Sequence, residues 1–314
     1  MSGRRLAVIA VGGNALVADP ARPGVIDQFQ AVADSMRGVV DLICDGWTVV
    51  ITHGNGPQVG YALRRSELST PEVPPLPMDY ADADTQGVIG YMFQRALGNE
   101  LRNRGAPSHA VTIVTQVVVS KDDPAMAHPT KPIGSFLTPA QAEEVSRTDG
   151  WSVAEDAGRG WRRVVPSPYP CEIVEIDAIR TLVQAGHLVV ACGGGGIPVV
   201  RENGSLCGIR AVIDKDLTAS LLARELDADV FVILTGVDRV ATGFGTPAER
   251  WLDRISAADL RAAQTVGEFP AGSMEPKVRA ALEFVDAQGR RAIITDAAHV
   301  VDAVAGRAGT TIEP

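Results

Sequence analysis

Leu6 to Val11 is an uninterrupted apolar run that halts at Gly12-Gly13. A strand wetted on one side alternates apolar and polar residues, so a run with no polar position needs cover on both faces, and a parallel sheet between two helical layers supplies it. An amphipathic stretch from about Asp27 to Cys44 stops near Gly46, and Thr48 to Thr52 follows as a second β-branched run. Together they predict a βαβ unit. The alternation continues with a helix near Asp84 to Arg104, a strand at Ala110 to Val114 and an apolar run at Gln116 to Val119. Further on come a helix at Ile176 to Ala185, a strand at Leu188 to Cys192, and an Asn203-Gly204 hairpin flanked by Pro198 to Arg201 and Ser205 to Val212. A helix at Leu217 to Leu226, a strand at Val230 to Thr235, a helix at Lys277 to Gln288 and a strand at Arg291 to Thr295 close the series. The pattern predicts an α/β fold: a three-layer α/β/α sandwich around one mostly parallel, open central sheet, with ligands at the carboxyl ends of its strands.

Between Lys121 and Pro170 the texture changes to proline, glycine and charge, with one short amphipathic helix near Pro139 to Arg147. This insertion, about residues 121–170, reads as a small protruding lid subdomain. With 46% of its 314 residues hydrophobic, the chain can bury the core of one large domain or of two fused halves. A net charge of -9 repels a polyanion, so nucleic acid is disfavoured as a partner and phosphate chemistry has to rely on local positive charge. Cys44, Cys171, Cys192 and Cys207 show no paired spacing and read as buried free thiols. Met1 to Arg5 runs straight into the first strand without a secretion-type leader, and no run of about 18 apolar residues exists to span a membrane, so a soluble cytoplasmic protein is the expectation.

Three glycine-rich loops follow strands: Gly12-Gly13-Asn14, His53-Gly54-Asn55-Gly56 and Gly193 to Gly196. Without a Cβ, backbone amides can close on an anion and a helix N-terminus adds a favourable dipole; a tight strand-to-helix turn needs glycine too, for steric reasons alone. Neither the dinucleotide fingerprint nor the Walker-type P-loop is present. Asp214-Lys215-Asp216 sits at a helix entrance, where two carboxylates can orient an ammonium group and keep it protonated. Lys277 follows a loop-to-helix junction and reads either as a phosphate contact or as a solvated first-turn lysine. Lys131 and Arg159, with Arg162 and Arg163, concentrate cations in the insertion, as a closing flap or as ordinary surface charge. The histidines are scattered without a neighbouring nucleophile, and His53 reads as a structural hydrogen-bonding residue. Phosphoryl transfer fits such a set, because its loose transition state is stabilised by positioned amides and ammonium groups.

Read in order, Gly12-Gly13-Asn14-Ala15, His53 to Gly60, Thr85-Gln86-Gly87, Lys131 to Gly134, Asp156 to Arg162, Gly193 to Val199, Ala211 to Asp216 and Gly272-Ser273-Met274 with Pro276-Lys277 resemble the carbamate kinases of the amino acid kinase superfamily over nearly the whole chain. The resemblance implies reversible transfer between ATP and carbamate, giving ADP and carbamoyl phosphate. It also implies a magnesium-dependent homodimer that runs toward ATP in arginine or related nitrogen catabolism, the metal held through nucleotide phosphates and water. By the same resemblance residues 1–190 form the carbamoyl phosphate half and residues 191–314 the nucleotide half. Lys131, Lys215, Lys277 and Asp214 would be catalytic; Gly12, Gly13, Asn14, Gly54, Asn55, Gly56 and Arg159 would hold substrate and phosphate; Gly194, Gly195, Asp216, Phe244, Gly245 and Met274 would hold nucleotide. Arg210 and Phe244 depart from the family pattern, where an acidic residue and a tyrosine are expected. Two other readings compete: a sister kinase acting on acetylglutamate, glutamate, aspartate or UMP, and a nucleotide-sensing protein without turnover.

Overall fold

The computed structural model describes residues 5–13, 16, 24–70, 72–106, 109–156, 160–270 and 272–314. The chain opens with β1 (Leu6–Val11), α1 (Val25–Cys44), β2 (Thr48–His53), α2 (Gly56–Ser69), α3 (Met78–Asn103) and β3 (Ala110–Thr112). Next come β4 (Gln116–Val119), β5 (Lys131–Leu137), α4 (Pro139–Asp149), β6 (Val153–Glu155), β7 (Trp161–Val165) and β8 (Pro170–Ile173). The second half carries α5 (Ile176–Gln184), β9 (Leu188–Val190), β10 (Ile197–Glu202), β11 (Ser205–Gly208), α6 (Lys215–Glu225) and β12 (Val230–Leu234). It ends with β13 (Val240–Thr242), β14 (Arg250–Leu252), β15 (Arg254–Ser256), α7 (Ala257–Thr265), α8 (Glu275–Gln288), β16 (Ala292–Thr295), α9 (Val300–Val304) and β17 (Thr310–Glu313).

The main sheet has the order β15-β17-β16-β12-β1-β2-β9-β3 and is parallel except where β16 meets β17. Because side chains alternate across a strand, β1 feeds two cores at once. Ala7, Ile9 and Val11 pack with α1, α3 and α9, whereas Val8 and Ala10 pack with α6 and α8. That explains a run without a polar residue and produces the three layers. The register aligns Val11 with both His53 and Leu234, and Leu234 with Thr295. The loops after β1, β2, β12 and β16 therefore leave the sheet along one edge.

The mostly parallel central sheet is as expected, but some of the expected strands lie outside it. The Gln116–Val119 run and the Asn203-Gly204 hairpin form a separate four-stranded sheet, β11-β10-β4-β8, in which β4 and β10 are parallel. Within the insertion, β5, β7 and β6 make a third, antiparallel sheet, with α4 against it. Helix α4 starts with a reciprocal cap: Thr138 Oγ1 accepts from the Gln141 amide at 3.3 Å and Gln141 Oε1 accepts from the Thr138 amide at 2.9 Å. The insertion meets α2 backbone to backbone. A Cβ on Gly60 would lie 2.1 Å from the Gly134 Cα, so nothing larger than glycine fits at 60. The cysteines are free, but Cys44 and Cys171 are exposed; only Cys192 is fully buried among the four. No helix of the described residues is long and apolar enough to cross a membrane.

Candidate active site

The glycine loops close on one another because each lacks a side chain where a neighbour passes. The Gly12 amide donates to the Leu234 carbonyl at 3.0 Å, and a Cβ there would meet the same oxygen at 2.7 Å. The Gly54 amide donates to the Val11 carbonyl at 3.2 Å, tying the second loop to the first strand. A Cβ on Gly54 would stand 3.2 Å from Lys215 Cδ and 3.9 Å from the Gly13 amide nitrogen. Lys215 thus runs past Gly54 toward the first loop. His53, just before it, is buried, stacks on Phe93 with ring centroids 5.5 Å apart, and directs Nδ1 at the Gly54 carbonyl at 3.1 Å. Burial lowers its pKa to about 4, with the Gly54 bond opposing and Lys215 adding to the shift, so the ring is neutral at pH 7.

Asp214 caps α6, its Oδ1 accepting from the amides of Asp216 at 2.9 Å and Leu217 at 3.4 Å, while its Oδ2 takes a 2.5 Å bond from Lys131 Nζ of the insertion. Asp216 is 3% exposed and divides its carboxylate between two ammonium groups, Lys215 on Oδ1 and Lys277 on Oδ2, the latter at 2.8 Å. Three ammonium groups and two carboxylates leave one positive charge in this cluster of an acidic protein. Burial works against ionising both aspartates, yet Lys131 holds Asp214, and Lys215 with Lys277 hold Asp216, below the usual carboxylate range. The lysines diverge. Burial brings Lys215 down to about 8 against the pull of Asp216, with Lys277 lowering it further, whereas Asp216 outweighs burial at Lys277 and raises it.

Beside Lys277 opens a cavity of about 480 Å³, lined by Gly12 and Gly13, by Thr235 to Val237, by Phe244 and Trp251, and by Phe269, Pro270 and Met274. The lining combines the Lys277 ammonium group, Arg239 and bare glycine backbone with apolar and aromatic side chains, Phe244 being set edge-on to Trp251 at 6.2 Å. Such a combination suits a ligand with an anionic end and a flat apolar body. The structure therefore joins Gly12, Gly13, Gly54, Lys131, Asp214, Lys215, Asp216 and Lys277 in one connected site, with Phe244 and Met274 in the cavity wall that Lys277 shares. Gly194 and Gly195 lie elsewhere in the wall, away from the cavity: their missing side chains make room for the Asn55 amide and the Ile213 carbonyl, and both have positive φ, 70° and 97°. Gly245 also lies off the cavity lining, and Gly56 faces the Pro132 carbonyl. Asn14 and Arg159 fall outside the described residues.

Residues 5–296 match the amino acid kinase family. The chain belongs to that family. Carbamate kinase from Pyrococcus furiosus is 48% identical over 314 residues, covering 99% of this chain and 100% of that protein. The carbamate kinase-like protein YahI of Escherichia coli is 46% identical over 98% of this chain and 99% of its own length. Among solved structures, carbamate kinase from Giardia lamblia bound to AMP-PNP superposes with a TM-score of 0.91 at 42% identity, covering 100% of this chain and 99% of that one. The resemblance drawn from the ordered motifs holds over the full length.

For this member of the amino acid kinase family, sequence reasoning passed over Trp251, Phe269 and Thr235 in the cavity wall. Trp251 sits in a three-residue strand with no alternation to betray it. Gln86 was noticed only as part of a motif. It is buried and pins the second sheet to the glycine wall, donating to the Thr115 and Gly193 carbonyls at 3.0 and 2.9 Å and accepting from the Thr115 amide at 2.8 Å.

Proposed function

We propose that this protein is a carbamate kinase, moving a phosphoryl group directly between ATP and carbamate to give ADP and carbamoyl phosphate, and running toward ATP in arginine or related nitrogen catabolism. The observation that carries the proposal is the Asp216 carboxylate shared by Lys215 and by Lys277, which lines the cavity. Two ammonium groups held on the two oxygens of one carboxylate can address a single phosphoryl group together, where charge is spread over the equatorial oxygens. The carbamate oxygen is already anionic, so no general base is required, which agrees with a buried, neutral His53.

In this reading the cavity holds the nucleotide, with Phe244, Trp251 and Met274 against its base and Lys277 at its phosphates. Gly12, Gly13, Gly54 and Asn55 hold the carbamoyl phosphate end, joined by Asn14, while Gly194 and Gly195 support that wall and Gly245 shapes the adenine side. Lys131, reaching from the insertion to Asp214, acts as a lid residue, and Arg159 belongs to the same lid. The partition follows the chain, residues 1–190 serving the acceptor and 191–314 the nucleotide, although Gly12 and Gly13 reach across to the cavity. Magnesium accompanies the nucleotide: Asp214 and Asp216 are both engaged by lysines, so the donor chemistry leaves the ion to phosphate oxygens and water. We also place the protein in the cytoplasm as a homodimer.

The experiment is ATP formation from ADP and carbamoyl phosphate with magnesium, run beside acetylglutamate, glutamate, aspartate and UMP as acceptors of ATP. Carbamoyl phosphate should give the highest kcat/KM. Equal or faster turnover with another acceptor identifies a sister kinase, and nucleotide binding without ATP formation identifies a sensor.

A further inference from the structure

Asn55 is 3% exposed and stands between Gly54, beside Lys215, and Gly56, beside the Pro132 carbonyl that follows Lys131. Its Nδ2 donates to Asp82 Oδ1 at 3.1 Å and to Thr85 Oγ1 at 2.9 Å. The Thr85 hydroxyl proton already goes to the Asp82 carbonyl at 2.8 Å, so Thr85 meets Asn55 as an acceptor. That settles which end of the amide is the NH2 group. Both Nδ2 protons are thereby committed. Asn55 Oδ1 receives no side-chain or backbone hydrogen bond from the described residues and, unlike Asp82 Oδ2, is not a sealed, unpaired atom. Gly194, whose Cβ would fall 2.2 Å from Nδ2 and 2.7 Å from Oδ1, leaves the amide its place in the wall. An amide in this state accepts but does not donate, and phosphoryl and carboxylate oxygens offer it nothing to accept.

We infer that Asn55 is the specificity residue for the acceptor, its Oδ1 accepting a hydrogen bond from the amino group of carbamate or carbamoyl phosphate, with Asp82 and Thr85 as positioning residues that hold the amide in that orientation. The inference rests on the reaction proposed above and assigns the one donor that substrate owns. Burial lifts the Asp82 carboxyl well above its usual range, with Asn55 opposing and Asp79 adding. A proton on the unpaired Oδ2 still leaves Oδ1 as the acceptor for Asn55.

Acetyl phosphate replaces the amino group by methyl and keeps the acyl phosphate, so the ratio of kcat/KM for ATP formation from the two donors isolates the contact. A site that hydrogen-bonds a substrate NH disfavours the analogue without it, so the native protein should prefer carbamoyl phosphate by at least about tenfold, and Asn55→Ala should shrink that preference by about tenfold or more. Thr85→Val keeps Asn55 but removes one acceptor of its NH2, and should shrink the ratio by about threefold while Thr85→Ser restores it. Where acetyl phosphate turnover is undetectable, its inhibition constant against carbamoyl phosphate supplies the ratio. An equal loss on both donors in Asn55→Ala places Asn55 on the shared phosphoryl group and overturns the assignment. If Asn55→Ala does not fold, an unchanged ratio in Thr85→Val overturns it by itself. Failure of the native protein to form ATP from carbamoyl phosphate is seen in the control and refutes the reaction before any variant is compared.

Discussion

Lys215 lies against Gly54 and is paired with Asp216, and burial brings it to about 8. A lysine with a lowered pKa is charged below that value and loses its charge as pH rises through it. Phosphate stabilisation by the free enzyme should fail on the alkaline side: kcat/KM is expected to fall with an apparent pKa near 8. The limb in kcat should lie higher, because bound phosphates favour the ammonium form, and Lys215→Arg should abolish it. A flat kcat/KM profile to about pH 9.5 in the native protein contradicts this. Lys131 is tied instead to Asp214 from the insertion, so Lys131→Ala should act on capture, raising KM for carbamoyl phosphate by about tenfold with a smaller change in kcat. Initial-rate kinetics over both substrates separates the two, and unchanged constants count against a lid role.

Among elements, the contact of β5 with α2 is the most exacting. A Cβ at Gly60 would overlap the Gly134 backbone, which cannot swing aside as a flexible side chain would. Gly60→Ala should therefore loosen the insertion while leaving the two main cores intact, lowering carbamoyl phosphate kcat/KM by about tenfold or more with a melting temperature close to native. Proteolysis within residues 131–165 should quicken, and native kinetics would show that the insertion does not work through this contact. Helix α3 shows where element boundaries escaped sequence reasoning. It begins at Met78, six residues ahead of the Asp84 expected from apolar spacing, because its first turns bury Asp82, Thr85 and Gln86 against Asn55, Thr115 and Gly193. Burial there mixes Met78 and Ala81 with the polar Asp82, Thr85 and Gln86, and a search for apolar periodicity does not register such a mixture. β13, β14 and β15, each three residues long, were invisible for a simpler reason: such strands are too short to alternate.

At the scale of the molecule, the layered sandwich was legible because β1, β2 and β12 are buried on both faces; β1 and β12 carry no polar residue, and β2 carries polar residues only at its ends, Thr48, Thr52 and His53. The second sheet was not, because an apolar run such as Gln116–Val119 reports burial and not the partner that buries it. The cationic part of the site was legible from residue type and position at strand and helix ends. The aromatic wall required knowing that residues 235–252 and 269–277 fold to the same face as Gly12. What unites these distant stretches is the sheet register, which brings Val11, His53, Leu234 and Thr295 to one edge and lets Lys215 and Lys277 meet on Asp216.

A double-mutant cycle on Lys215 and Lys277 tests that convergence most directly. Each alanine variant should slow ATP formation by at least about 100-fold, roughly 2.7 kcal/mol of barrier, in protein that melts like the native form. On the proposal that the two ammonium groups serve one phosphoryl group, the double variant should lose little more than the worse single one. Near-native rates in the single variants, or losses that multiply in full, would contradict a shared site.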